Sequence, residues 1–178
     1  SRDDSRGNIV ETRPAYGRVA AIIPAAGEGR RMGGTIPKQF LQIGGREILA
    51  RTLEVFEACV AIDDVCVVVT AEQCIACQST IVERYGFRKI RGVIAGGTTR
   101  QESVWRGLQQ VTEAVALVVV HDGVRPFVTE LLLQQTLDHA SRYGAAIAAV
   151  PLKDTLKRVS TAGTVEATIP REHLWRVQ

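Results

Sequence analysis

The sequence predicts an α/β fold: a three-layer sandwich with a mainly parallel sheet and a protruding β-hairpin arm. Three observations carry this expectation. Short β-rich runs recur that are apolar at almost every position, the pattern of strands covered on both faces. Amphipathic stretches with helical spacing separate them, and such alternation implies parallel strands joined by right-handed crossovers. After Pro151 the pattern changes to two stretches flanking Thr161-Ala162-Gly163, which reads as a hairpin.

In chain order, residues 1–17 are polar and without periodicity. They are expected to be a disordered arm or a cloning remnant, with a single domain over 18–178. Val19 to Ile23 is the first strand. Ile48, Leu49, Leu53, Phe56 and Val60 then share one helical face. Val65 to Val69 and Ile90 to Ala95 are the next strands, followed by a helix with Val104, Trp105, Leu108 and Val111 on one face. Leu117 to Val120 is the fourth strand, and a helix over Glu130 to Tyr143 is stopped by Gly144. Ala145 to Val150 reads as a fifth strand. The arm, at about 154–172, pairs Thr155 to Val159 with Thr164 to Ile169. A two-stranded ribbon is marginal alone, so it should pack on a partner subunit or on the domain edge.

Composition narrows the function classes. With 178 residues and 46% hydrophobic content, the chain is long enough for one substantial core. No apolar run approaches the roughly 20 residues that cross a bilayer, so a water-soluble chain without membrane partners is expected. The 22 Lys and Arg against 19 Asp and Glu leave a net charge of +3, and aromatics are 5%. That balance does not suit a nucleic-acid binder. The four cysteines read as reduced intracellular thiols, which points to a cytoplasmic protein. Cys74-x-x-Cys77 has no second pair, and with Ile81 and Tyr85 it forms one helical stripe, so core packing is expected.

The local charge is more telling than the total. The first strand runs into Pro24-Ala25-Ala26-Gly27-Glu28-Gly29-Arg30-Arg31-Met32-Gly33-Gly34, then Pro37-Lys38-Gln39. Small residues let backbone approach a ligand, and successive N–H groups in such a turn form an anion-binding concavity suited to a triphosphate. Arg31 and Lys38 are expected to touch phosphate, whereas Glu28 reads as a surface residue. The dinucleotide fingerprint lacks its third glycine and its acidic ribose partner, and a Walker loop would need Gly-Lys followed by Ser or Thr.

The fourth strand ends in His121-Asp122-Gly123-Val124-Arg125-Pro126. Asp122 suits a Mg²⁺ ion that arrives with a nucleotide, and Arg125 can fork onto a second phosphate. His121 is expected to be a hydrogen-bonded structural residue, since a phosphate nucleophile needs no base. In Gly96-Gly97-Thr98-Thr99-Arg100-Gln101-Glu102-Ser103, Thr98 or Thr99 can cap the next helix, and Gly97 and Ser103 can touch a base or ribose.

Pro-Ala-Ala-Gly-x-Gly-x-Arg-Met with Pro-Lys-Gln, then Gly-Gly-x-x-Arg-x-x-Ser, then His-Asp-x-x-Arg-Pro occur in this order. The combination, over about 18–178, resembles the 2-C-methyl-D-erythritol 4-phosphate cytidylyltransferases of the non-mevalonate isoprenoid pathway, whose fold is Rossmann-like. The resemblance implies a Mg²⁺-dependent transfer of a cytidylyl group from CTP to methylerythritol phosphate, giving CDP-methylerythritol and pyrophosphate in a bacterial cytoplasm or a plastid. It implies that Ala25, Ala26 and Gly27 hold the triphosphate and that Gly97, Thr98 and Ser103 contact the cytidine. Pro24, Gly29, Arg100 and Gly123 complete the nucleotide set. Arg31 and Lys38 serve catalysis, Asp122 holds Mg²⁺ and approaches the substrate, and Arg125, Thr155 and Arg171 bind methylerythritol phosphate. Thr155 and Arg171 lie on the arm, which in the family reaches into the other subunit of a homodimer.

Thr98 stands where the family commonly has Asp and Gly123 where it often has Ala, and the C-terminal part of the family domain is expected to be absent here. Two alternatives stay open at this point: a cytidylyltransferase for ribitol 5-phosphate, and a module that binds CTP without turnover.

Overall fold

The structure is a computed structural model and describes residues 16–27, 36–112 and 114–177. Gly29, Arg31 and most of the expected N-terminal arm therefore lie outside the described residues. Tyr16 is already part of the domain, because its ring packs against the core.

Four parallel strands form the central sheet: β1 (Arg18–Pro24), β4 (Asp64–Val69), β5 (Ile90–Ala95) and β6 (Val115–Val120), in the order β5-β4-β1-β6. β1 and β4 are the interior strands, and each has five consecutive buried residues. Their two-residue period sorts side chains between the faces. Val19, Ala21, Ile23, Val65, Val67 and Val69 point into the larger core, and Ile22, Cys66 and Val68 into the smaller one.

The larger core is closed by α1 (Ile48–Ala58), by α2 (Cys74–Cys77, continued by the wider turn Gln78–Glu83) and by α4 (Glu130–Tyr143). Leu49, Leu53 and Phe56 of α1, Cys77 and Ile81 of α2, and Leu133 and Leu137 of α4 meet there. Each such side chain contributes about 1.5–3 kcal/mol by leaving water. α4 begins at Thr129, whose hydroxyl accepts the Leu132 N–H, and stops at Gly144 with φ of 84°.

α3 (Arg100–Leu108) covers the other face and departs from the expected contact stripe. Ser103 and Gly107 are its buried residues, while Trp105 is 59% exposed. A Cβ at Gly107 would stand 2.5 Å from Ile22 Cγ2, so the helix sits closer to the sheet than a stripe of large residues would allow.

The cysteines pack as expected: Cys59, Cys66 and Cys77 are buried and Cys74 is half-buried, with no disulfide among them. Burial pushes the Cys66 thiol up to about 11, and burial together with the neighbouring Cys74 pushes Cys77 up to about 12.

Three features differ from the reading of the sequence. Gly44 and Gly45, at φ of 58° and 75°, turn a two-residue hairpin between β2 (Gln42–Ile43) and β3 (Arg46–Glu47), too short to leave a strand pattern. Of the expected strand Ala145 to Val150, only β7 (Ala149–Pro151) forms, and it pairs antiparallel with β10 (Trp175–Val177) instead of joining the sheet. β6 is not covered on both faces: Val118 and Val120 are 38% and 40% exposed beside an apolar groove of about 490 Å³. With residues 145–148 outside any strand, β6 is the sheet edge among the described residues.

The arm is present. β8 (Leu156–Val159) pairs with β9 (Val165–Ile169) through a turn in which Gly163 has φ of 81°. Ser160 N donates to Thr164 O at 2.9 Å, and Lys157 Nζ bonds the Thr168 hydroxyl at 2.6 Å.

Candidate active site at the carboxyl edge of the sheet

The loops after β1, β5 and β6 leave the same edge of the sheet and are tied where they start. Ala25 N donates to Val68 O at 2.7 Å, Gly96 N to Val69 O at 2.7 Å, and Gly123 N to Pro24 O at 3.0 Å. They can converge because two positions lack a side chain. A Cβ on Gly123 would stand 2.9 Å from Ala25 Cβ, and one on Gly96 would stand 2.6 Å from Ser103 Oγ. The buried Thr52 hydroxyl of α1 donates to Gly123 O at 2.9 Å and anchors this junction from below.

The space they enclose is about 310 Å³. The first loop contributes Pro24, Ala25, Ala26 and Gly27, and the turn Lys38–Phe40 contributes Lys38 and Gln39. The β5 loop and the start of α3 contribute Gly97, Thr98, Arg100 and Ser103, and the β6 loop contributes Asp122. Ten of the residues singled out in the sequence thus line one cavity. Gly123 is buried behind it, and Arg125 reaches it only through Asp122. Thr155 and Arg171 do not line it: both are exposed on or beside the arm, and Arg171 donates to the Lys153 carbonyl.

Asp122 is the one carboxylate among the described residues lining the cavity. Arg100 approaches Oδ1 with Nε at 3.0 Å and Nη2 at 2.9 Å, and Arg125 Nε donates to Oδ2 at 3.1 Å. Burial alone would raise this carboxyl, but the hydrogen bonds and charges of the two arginines outweigh it and hold it below the usual carboxylate range. It is therefore ionised near neutral pH. Among the described residues no group of three metal-ligating side chains exists. An ionised carboxylate in a cavity also lined by Lys38 and Arg100 still fits a hard cation that takes most of its oxygens from phosphates and water.

His121 has the structural role its position suggested. Its Nε2 lies 3.0 Å from Arg125 O and its ring packs on Phe56 with centroids 5.3 Å apart. Burial pushes its pKa down, so the neutral ring is favoured.

At the β5 loop the helix cap is Thr99, whose hydroxyl accepts the Glu102 N–H at 3.1 Å. Thr98 instead donates its N–H and its hydroxyl to Glu102 Oε2. Ser103 Oγ accepts Gly97 N–H at 3.1 Å and donates to Thr99 O at 3.0 Å, which leaves one lone pair for a ligand. Sequence reasoning quoted Gln39 without assigning it. It is 1% exposed, lines the cavity and donates Nε2 to Gln73 Oε1 at 3.0 Å, so it anchors the turn that carries Lys38. Its place between Lys38 and an apolar Phe40 was the available signal.

A parallel α/β sheet whose loops gather glycine, lysine, arginine and an aspartate beyond the strand carboxyl ends defines a nucleotide-handling α/β protein. Over residues 19–178 the chain matches the family model described as IspD, 2-C-methyl-D-erythritol 4-phosphate cytidylyltransferase, and it belongs to that family. It is 47% identical over 163 residues to the 2-C-methyl-D-erythritol 4-phosphate cytidylyltransferase of Geobacter metallireducens, covering 90% of this chain and 70% of that protein. The enzyme of the same name from Geotalea uraniireducens is 45% identical at the same coverage. Among solved structures, the 4-diphosphocytidyl-2C-methyl-D-erythritol synthase of Anaerococcus prevotii superposes with a TM-score of 0.77 at 31% identity, over 91% of this chain and 68% of that one. These neighbours share the Rossmann-like α/β sheet.

Proposed function

We propose that the chain transfers a cytidylyl group from CTP to 2-C-methyl-D-erythritol 4-phosphate, releasing pyrophosphate. Family membership over residues 19–178 carries this reading. The cavity supports it, with small-residue backbone for a triphosphate beside Lys38, Arg100 and Asp122. The substrate phosphate attacks the α-phosphorus of CTP in line. Negative charge builds on the five-coordinate centre and on the departing pyrophosphate, so fixed cations stabilise the transition state more than the ground state. Lys38, held by the Gln39 anchor, is one such cation, and by family resemblance Arg31 is another. Gly97, Thr98 and Ser103 hold the cytidine, and Pro24 to Gly27 the phosphates. No general base is needed, because the nucleophile is already ionised.

Mg²⁺ belongs to this reading as a cofactor held by Asp122 together with phosphate oxygens, and when bound it supplies charge neutralisation at the phosphates. Arg125 would then be free for substrate phosphate. Thr155 and Arg171 lie off the cavity of their own chain and fit the reading that the arm serves a second subunit, making the active species a homodimer. The bacterial source of the relatives and the four cysteines without a disulfide support a cytoplasmic setting.

The test is pyrophosphate release from CTP and Mg²⁺ with methylerythritol phosphate, ribitol 5-phosphate or neither. Release with methylerythritol phosphate alone is expected. Release with ribitol 5-phosphate, or CTP binding without release, would overturn the reading.

A further inference from the structure

Two side chains outside the cavity lining bond the backbone of the β5 loop. Glu102 and Arg106 stand four residues apart on α3 and bond each other, Arg106 Nη2 to Glu102 Oε1 at 2.6 Å. Each also holds backbone that precedes the helix. Glu102 Oε2 takes the Thr98 N–H at 2.9 Å and the Thr98 hydroxyl at 3.1 Å, and Arg106 Nη1 donates to Gly96 O at 2.8 Å. The Gly96–Gly97 peptide is therefore pinned at both ends, its carbonyl by Arg106 and its N–H by Ser103 Oγ. The next peptide is pinned through its N–H by Glu102. The glutamate also lies flat on the loop, since a Cβ at Gly97 would fall 2.0 Å from Glu102 Cδ.

The helix itself does not need this arrangement, because Thr99 already caps it. An ion pair whose members are 44% and 38% exposed adds little to stability. What the pair does accomplish is to add, to the single restraint that Ser103 places on the Gly97 N–H, restraints on the Gly96 carbonyl and on the Thr98 N–H of a glycine-rich loop. Cytosine and uracil differ at the base edge by exchange of donor and acceptor, and a peptide that flips makes the same exchange on the protein side. A loop free to flip accommodates either base, whereas a pinned loop accommodates one.

We infer that Glu102 and Arg106 are positioning residues that hold the Gly96–Gly97–Thr98 backbone in the arrangement that selects cytosine over uracil. The inference rests on the proposed placement of the cytidine against Gly97, Thr98 and Ser103. Neither residue touches the nucleotide in this scheme. Hydrogen bonds from Thr98 and the Arg106 guanidinium keep the Glu102 carboxyl below its ordinary range, so the brace is charged at neutral pH.

The experiment is calorimetric titration of the full chain with CTP and with UTP in Mg²⁺, for the wild type, Arg106→Met and Glu102→Gln, alongside thermal melts. The wild type should prefer CTP. Each variant should melt within a few degrees of it, bind CTP about fivefold or more weakly and lose most of the preference, as expected when a preorganised contact loosens. A folded variant with the preference intact overturns the brace, and so does equal weakening of both nucleotides. A wild type that binds CTP without preferring it to UTP overturns the cytidylyl reading itself and the brace with it. If Arg106→Met does not fold, Glu102→Gln preserves side-chain size and decides the matter.

Discussion

At the scale of single residues, the cavity separates side chains that line it from side chains that hold them in place. Lys38→Met should lower kcat by about a hundredfold or more with a smaller change in KM for CTP, the pattern of a lost transition-state cation. Steady-state rates with unchanged kcat and a raised KM would make Lys38 a binding residue instead. His121 gives a pH signature. Burial lowers its folded pKa, so its contribution to stability is fully present above the unfolded value near 6.5 and is lost as pH falls through the folded pKa. Melting temperatures of the wild type should therefore decline between about pH 7 and pH 5, and His121→Gln should flatten that decline. A variant with the same slope would show that other groups set it. Asp122 and Lys38 were legible in the sequence because charge at a strand end or after a glycine-rich loop has few structural uses. Gln39 and Thr52 were not, because their partners, Gln73 and Gly123, stand 34 and 71 positions away.

At the scale of elements, hydrophobic patterning located the sheet strands to within two residues and α4 at both ends, where Thr129 and Gly144 supply local signals. It misjudged α3, since Ser103 and Gly107 are too small to register as an apolar stripe although they make the contact. Gly107→Ala should force Ile22 aside and cost about 1–3 kcal/mol, as overpacking in a filled core does. Urea denaturation at constant m-value reads that loss directly, and an unchanged midpoint would mean that α3 can move outward at no cost. The run Ala145 to Val150 has the composition of a strand, but a strand also needs a neighbour, and among the described residues only its last part finds one, in β10.

At the scale of the whole molecule, the arm and the groove beside β6 are surfaces left uncovered among the described residues. A two-stranded ribbon with most of its residues exposed is marginal on its own. Light scattering should therefore find a dimer, and removal of residues 154–172 should give a monomer. Arg171→Met should raise KM for methylerythritol phosphate about tenfold, the typical cost of a hydrogen bond to a charged group. A wild-type monomer at micromolar concentration would sink the shared-site reading.

By itself the sequence determined the four sheet strands, α4, the three loops that line the cavity and the family, because periodicity, glycine placement and short motifs are local properties of the chain. Tertiary structure decided the order β5-β4-β1-β6, the burial of Gln39 and Thr52, the capture of Asp122 by Arg100 and Arg125, and the bracing of the Gly96–Thr98 loop. Nearly all of these depend on which distant segments come within a few ångströms of one another. The brace spans only eleven positions, yet it too needs the loop to fold back on α3, a contact no local pattern encodes.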